Sequence, residues 1–116
     1  MKIGQFFVGM SAVLMSGVLV AGDIANVNIR STVSTRSTAA LIDGALFINL
    51  PMGVTHDSPS CGVGSNYRYV IKGIDKVMIS QALMAFASGK LVDITGAGNC
   101  DAWADTESVR YLTVRN

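Results

Sequence analysis

The chain has 116 residues, of which 50% are hydrophobic and 15% are charged, and its formal net charge is +1. Its nine Lys and Arg residues are spread along the chain, whereas a phosphate-binding surface needs clustered cations. This distribution excludes nucleic acid and an anionic membrane surface as expected partners.

The first 22 residues have the layout of a secretory signal peptide. Lys2 precedes an apolar run from Phe6 to Val20, and the small residues Ala21 and Gly22 follow. The run of about fifteen residues is shorter than the roughly twenty that cross a bilayer, which disfavours a membrane anchor. We predict a signal peptide over 1–22, cut after Gly22, and one secreted or periplasmic domain over 23–116 that does not contact a membrane after signal removal.

Two cysteines, Cys61 and Cys100, remain in the predicted mature part. An even number of cysteines in an oxidising compartment usually means a disulfide, so we predict one bridge between them. The alternative is a Cys61 nucleophile with His56 as its base. It requires a thiol that stays reduced outside the cytoplasm and a third orienting group that the sequence does not supply.

The N-terminal half of the predicted domain has strand periodicity. Alternation over Asn26–Val33 predicts a half-buried strand with Val27, Ile29 and Val33 facing the core. The Ser- and Thr-rich stretch 31–38 either extends this strand at a sheet edge or forms an exposed loop. A second strand is predicted over 45–50, because Pro51 ends the apolar run. A long irregular connection over 53–66 carries Cys61.

The C-terminal half contains one predicted helix between strands. Tyr67, Tyr69 and Ile71 share one side of a third strand, and Asp75 can cap a helix over 76–88 that Gly89 ends. The apolar stripe predicted to face the core is Ile79, Ala82, Leu83 and Phe86. Strands over 91–95 and 109–114 follow, joined by a polar loop that contains Cys100 and Trp103.

The order of these elements indicates a mainly β (α+β) domain. Three strands, a helix and two strands cannot form a doubly wound sheet, which needs repeated alternation of strands and helices. A five-stranded Greek-key barrel of the OB type, with one helix between strands three and four, matches this order.

The run QALMAFASGKLVDITGAGNC, from Gln81 to Cys100, and the run SVRYLTV, which ends at Val114, carry a family resemblance. From about Tyr67 to Val114 the chain resembles small exported proteins related to the binding subunit of subtilase-type bacterial toxins. The resemblance implies an OB-type barrel, a pentamer formed around the helices and recognition of a glycan or glycoprotein. A catalytic A chain would be the further partner of such a subunit.

Sugar binding requires an aromatic plate and side chains that hydrogen-bond hydroxyl groups. Trp103 is the single tryptophan, and the densest set of small polar groups is Ser31, Thr32, Ser34, Thr35 and Arg36. We therefore predict ligand binding by Ser31, Ser34, Thr35, Arg36 and Trp103. The alternatives are that Trp103 covers one end of the core and that the Ser/Thr run is an ordinary edge strand.

Little in the sequence suits an enzyme. His56 is the only histidine and no Gly-x-Ser-x-Gly motif is present, so we expect no catalytic residue, no bound metal and no cofactor. Asp101, Asp105 and Glu107 lack the spacing of an EF-hand loop and are interpreted as solvated loop acids.

The predicted helix is apolar on more than one side, which indicates a homo-oligomer. Two other function classes stay open. The protein could be an exported structural or inhibitory protein that binds another protein through a strand edge, or a small secreted hydrolase that depends on His56.

Overall fold

The computed structural model describes residues 21–116, so the apolar run of the predicted signal peptide lies outside the described residues. The described strands are Asp23–Val27 (β1), Ser31–Thr35 (β2), Ala45–Asn49 (β3), Arg68–Lys72 (β4), Val92–Gly96 (β5) and Val109–Val114 (β6). A 3-10 helix, Ser60–Ser65, precedes β4, and an α-helix, Lys76–Ser88 (α1), lies between β4 and β5. Over residues 21–116, no helix is both long and apolar enough to cross a membrane.

The strands form two antiparallel sheets of three strands each. One sheet has the order β1-β5-β6 and the other has the order β2-β3-β4. A parallel bridge between Val70 and Ser108 connects them, and the Val70 N–H donates to the Glu107 carbonyl oxygen at 3.0 Å. The predicted mainly β class and the position of the helix are confirmed. Where the sequence predicts five strands, the described chain has six, and neither sheet closes on itself.

The sixth strand arises because the predicted strand over 26–33 is two strands in different sheets. Asn26 has φ 56°, and the pairing of β1 with β5 is irregular between Ile24 and Val27. The chain then leaves the first sheet, buries Ile29 at the junction and continues as β2. Val33 lies on β2, which pairs only with β3 among the described strands, and its side chain is 53% exposed. Its predicted core position is therefore wrong.

Strand β3 is buried on both faces, as its continuous apolar sequence indicates. Leu46 and Ile48 point into the main core between the sheets and the helix, whereas Ala45 and Phe47 belong to a second cluster with Val70. The second cluster supports the loops that carry the candidate site.

Helix α1 packs its smallest apolar residues inward. Ala82 and Ala85 are fully buried, and Met78 and Ile79 pack partly against the core. Leu83 and Phe86 are 42% and 41% exposed, so their predicted place in the core-facing stripe is wrong.

The predicted ends of the helix are present. Gly89 adopts the left-handed conformation, with φ 70°, and ends the helix as predicted. Asp75 occupies the N-cap position, but its side chain makes no capping hydrogen bond.

The predicted disulfide is confirmed. Cys61, in the 3-10 helix, is bonded to Cys100, in the loop between β5 and β6. Because both sulfur atoms are in the bond, Cys61 offers no thiol for the nucleophile alternative.

Candidate ligand-binding pocket

An open pocket of about 430 Å³ lies between the loop after β2 and the loop before β6. Its lining residues are Thr35, Arg36, Thr38, Ala40, Leu41, Ala102, Trp103 and Ala104. We call it the Trp103 pocket. Its volume falls within the range of small-molecule sites, which combine an apolar wall with a few polar groups. Three predicted ligand residues, Thr35, Arg36 and Trp103, therefore lie at one site although they are distant in sequence.

Trp103 is held with part of its ring free. Its indole meets the Phe47 ring edge to face, with ring centroids 5.1 Å apart, and the side chain is 39% exposed. The Thr106 N–H donates to the Trp103 carbonyl oxygen at 3.1 Å, which closes a short turn. The indole thus packs against the second cluster with one part and faces the pocket with the rest.

Arg68 supports the same turn from β4. Its guanidinium lies 4.5 Å from the centre of the Phe47 ring, and its Nε donates to Thr106 Oγ1 at 2.9 Å. Trp103 is consequently carried on a loop whose backbone and neighbouring ring are both fixed.

Asp101 anchors the start of this loop. Lys72 Nζ donates to its carboxylate at 2.7 Å, and Ser108 Oγ donates at 2.6 Å. The hydrogen bond from Lys72, followed by the one from Ser108, lowers the pKa of Asp101 below its ordinary value. The disulfide holds the preceding residue, Cys100, and the hydrogen bond from Ser108 joins the far end of the loop to Asp101.

The opposite wall supplies the polar groups. Thr35 Oγ1 accepts a hydrogen bond from the Ala45 N–H, and Thr38 Oγ1 accepts one from the Leu41 N–H, each at 3.0 Å. Each threonine hydroxyl thus keeps its own hydrogen to donate to another group. In the part of the chain that the structure describes, Arg36 forms no salt bridge, so its guanidinium is available to a ligand.

The other two predicted ligand residues lie elsewhere on β2. Ser31 Oγ accepts a hydrogen bond from Asn49 Nδ2 at 3.0 Å, which ties β2 to β3. Ser34 lines a neighbouring pocket together with Ile79 and Leu83 of the helix. Thr35 also borders that neighbouring pocket, whereas Ser34 does not border the Trp103 pocket.

The three loop carboxylates have separate surroundings. Asp101 and Asp105 are exposed, as predicted for loop acids, and Asp105 pairs with Arg68 at 3.2 Å. Glu107 is 0% exposed, so its interpretation as a solvated acid is wrong. Among residues 21–116, no group of three or more His, Cys, Asp or Glu side chains is placed to hold a metal ion.

Glu107 is the centre of a buried polar cluster. Its Oε2 accepts hydrogen bonds from the N–H groups of Gly22, at 3.0 Å, and Gly98, at 2.9 Å. Its Oε1 lies 3.4 Å from His56 Nδ1. Burial raises the pKa of Glu107, although these donors and His56 oppose the shift.

His56 and Tyr69 complete the cluster. Their rings stack with centroids 3.8 Å apart, and the Tyr69 hydroxyl donates to the Gly22 carbonyl oxygen at 2.9 Å. The nitrogen atoms of His56 lie 2.7 Å from the Asp57 carbonyl oxygen and 2.9 Å from that of Arg68. All these partners belong to the protein, and the side chains of His56 and Glu107 have no exposed surface.

Comparisons with protein-family models, with curated proteins and with solved structures find no match to this chain.

Proposed function

We propose that the protein is an exported, non-catalytic subunit that binds glycans and forms a homo-oligomer. The observation that carries the proposal is the Trp103 pocket, where a half-exposed indole lies opposite Thr35, Arg36 and Thr38. These are the two kinds of group that a sugar site combines.

The chemistry of a pyranose suits this arrangement. One face of the ring presents C–H groups, which pack on an aromatic surface, while the hydroxyl groups at the rim need donors and acceptors. Leu41 and the alanines keep the wall of the pocket apolar beside the indole. Arg36 then supplies up to five N–H donors at the edge.

The OB-type barrel is part of the proposal. The consecutive strands β1 and β2 belong to different sheets, as the two halves of one bent strand would. The parallel bridge between Val70 and Ser108 lies where β4 and β6 would close the barrel. This arrangement supports the resemblance to the binding subunits of subtilase-type toxins, in which a catalytic A chain would be the partner.

Export is supported by two features that differ in kind. The leader sequence has a short apolar run followed by small residues, and the domain contains a disulfide. Both fit a protein that acts in the periplasm or outside the cell.

Assembly is supported by the orientation of α1. The helix buries alanines and leaves the larger Leu83, Met84 and Phe86 partly exposed, and Val77 is 78% exposed. A groove of about 670 Å³ between this helix and β6 adds Tyr111, which is 58% exposed. Partly exposed apolar side chains on a helix that borders a groove support a subunit interface at this helix.

A glycan array with purified variants tests the binding proposal. We expect Trp103→Ala and Arg36→Gln each to lower the affinity for a selected glycan at least tenfold, or about 1.4 kcal/mol. Trp103→Phe keeps an aromatic ring against Phe47 and so preserves the packing of the fold. A loss of affinity in this variant would therefore reflect the smaller binding surface and not unfolding.

Ser34→Ala and Ser31→Ala are the matched controls. Both residues lie on β2 but outside the Trp103 pocket, so the glycan affinity of each variant should stay within a factor of about two of the wild type. A protein that binds no glycan, or one that loses as much affinity with Ser34→Ala as with Trp103→Ala, contradicts the proposal.

One observation favours a second candidate. Strand β2 pairs only with β3 among the described strands, so its outer edge can add a strand from another protein. Two results together would identify this function instead. The protein would bind no glycan on the array, and it would bind a protein partner that the Val33→Pro variant no longer binds.

A further inference from the structure

Gly22 occupies a closed position at the start of the described fold. A Cβ atom at this position would lie 1.4 Å from the Asp57 carbonyl oxygen and 2.7 Å from His56 Nδ1, so no other residue fits. Gly22 is buried, whereas Ala21 is exposed. The chain therefore reaches the surface between these two residues.

The backbone of Gly22 is fully used inside the protein. Its carbonyl oxygen accepts from the Tyr69 hydroxyl and from the Gly96 N–H, both at 2.9 Å. Its nitrogen lies 3.0 Å and 3.3 Å from the two carboxylate oxygens of Glu107. A peptide nitrogen has one hydrogen to share between two oxygens, whereas a free amino terminus has three and carries a positive charge.

A positive charge beside Glu107 would stabilise its buried carboxylate. A carboxylate with no exposed surface is costly unless it is paired and hydrogen-bonded. Across residues 21–116, the basic side chain within 4.0 Å of Glu107 is His56, which carries a charge only when protonated, while Asp23 and Asp57 add negative charge nearby.

We propose that the precursor is cut between Ala21 and Gly22 and that the new ammonium group of Gly22 forms a buried ion pair with Glu107. A signal peptidase hydrolyses this peptide bond with one water molecule. The carboxylate of the broken bond stays on Ala21, and the amine, which takes up a proton, stays on Gly22. The proposal needs export of the chain but no particular ligand.

The bond on the other side of Gly22 suits the fold less well. The sequence alone favours a cut after Gly22, because Val20 and Gly22 fit the small-residue cleavage pattern. That cut would remove the acceptor of the Tyr69 hydroxyl, one acceptor of the Gly96 N–H and one N–H donor of Glu107. Buried polar groups that lose their partners are strongly destabilising, so the geometry points to the Ala21–Gly22 bond.

The first test is the amino terminus of the exported protein. The full chain is expressed in a bacterium, and the exported product is analysed by intact mass and N-terminal sequencing. We expect a mature protein that begins at Gly22. A product that begins at Asp23, or an uncut chain, overturns the proposal, whereas either result leaves glycan binding by the Trp103 pocket to be measured separately.

The second test measures the ion pair by comparing the processed protein with a chain that keeps Ala21. Ala21 is exposed and both core clusters form after it, so the extra residue preserves the described contacts and moves the charge away from Glu107. We expect the extension to lower the folding equilibrium constant at least tenfold, and to have no such effect in a Glu107→Gln background. Equal losses in both backgrounds, or no loss in either, overturn the ion pair.

Should Glu107→Gln fail to fold, acylation of the terminal amine replaces it as the readout. The Gly22 amine of the processed protein should react with an acylating reagent at least tenfold more slowly than the amine of the Ala21 chain. Equal rates overturn the proposal.

Discussion

Tyr69 links the main core to the polar cluster around Glu107. Its ring is fully buried and stacks on His56, while its hydroxyl donates to the Gly22 carbonyl oxygen. Burial, followed by the charge of Glu107, raises the pKa of Tyr69, so the hydroxyl stays protonated and serves as a donor. The residue fixes the beginning of β1 against β4.

Tyr69→Phe should lower the free energy of unfolding by about 1 to 2 kcal/mol, because it removes one buried hydrogen bond and keeps the ring stack. Urea denaturation followed by circular dichroism measures the change. Tyr111→Phe is the control, since that ring is 58% exposed, and it should stay within about 0.5 kcal/mol of the wild type. Equal effects of the two substitutions would show that the buried hydrogen bond of the Tyr69 hydroxyl does not contribute to the free energy of unfolding.

Asp101 gives stability a dependence on pH. Its pKa lies below the ordinary value of 3.8, so its contribution is present above that pH and is lost as the pH falls through the lowered value. Asp101→Asn should cost at most about 1 kcal/mol at neutral pH, because the Asp101 and Lys72 side chains are 48% and 41% exposed and water screens the pair.

Urea denaturation of the wild type and of Asp101→Asn at several pH values measures this contribution. The difference in free energy between the two proteins should stay level above about pH 5 and shrink as the pH falls from there toward about pH 2. A difference that stays constant over this range would contradict the assigned role of the charge.

The sequence does not show which of the loop carboxylates are buried, and the reason is physical. Asp101, Asp105 and Glu107 look alike in a polar loop, yet the fold buries Glu107 alone, against Gly22 and Gly98. Burial of a carboxylate depends on donors from distant parts of the chain, which a local pattern does not contain. Trp103 was recognisable because a lone aromatic residue among polar neighbours is unusual in itself.

At the scale of elements, the apolar pattern predicts where most strands lie, but it does not predict where one strand ends and the next begins. Val27, Ile29 and Val33 keep the same alternation on both sides of the junction, so a period of two carries no sign that β1 and β2 separate. The positive φ of Asn26 marks the irregularity only once the structure is known. The disulfide and the end of the helix were predictable because Cys and Gly have specific structural roles.

The helix shows a related limit. Its apolar residues cover two overlapping stripes, and the period of 3.6 does not say which stripe faces the sheet. Ala82 and Ala85 face the core because small side chains let the helix lie close to it, and this leaves the bulkier Leu83 and Phe86 at the side.

Gly89 ends α1 through its backbone conformation alone. Its φ is 70°, and a Cβ atom there would meet nothing within 4 Å. Gly89→Ala should therefore lower the free energy of unfolding by about 1 kcal/mol through left-handed strain. Thermal or urea denaturation measures this loss. Gly64→Ala also places its Cβ in open space, but without a positive φ, and should cost less; an equal cost would refute the role of the left-handed conformation.

In the whole molecule, the disulfide and the parallel bridge both join parts of the chain that are distant in sequence. Cys61 and Cys100 are 39 residues apart in sequence, and closing such a loop stabilises a fold by about 4 kcal/mol in the chain-entropy model. The bridge between Val70 and Ser108 joins the two sheets nearby. Both constraints act at the two ends of the loop between β5 and β6 that carries Trp103, so the loop that carries the proposed ligand site is attached to the rest of the domain at both ends.

The exposed side of α1 leads to a prediction about assembly. Leu83 and Phe86 lie one turn apart on the helix and are each about two-fifths exposed, at 42% and 41%. If this surface is buried between copies of the chain, Leu83→Glu should convert the oligomer to a monomer at micromolar concentration, because a charge cannot enter an apolar interface unpaired. Light scattering coupled to size-exclusion chromatography gives the mass of each species.

Met52→Glu provides the matched control for that experiment. Met52 is 83% exposed and lies in the turn after β3, away from α1, so the same change of charge should leave the oligomer intact. Circular dichroism should show that both variants keep the fold, since neither side chain belongs to a buried cluster. Two results would contradict the proposed interface: a wild-type protein that is already monomeric, or a Leu83→Glu variant that keeps the wild-type oligomeric mass.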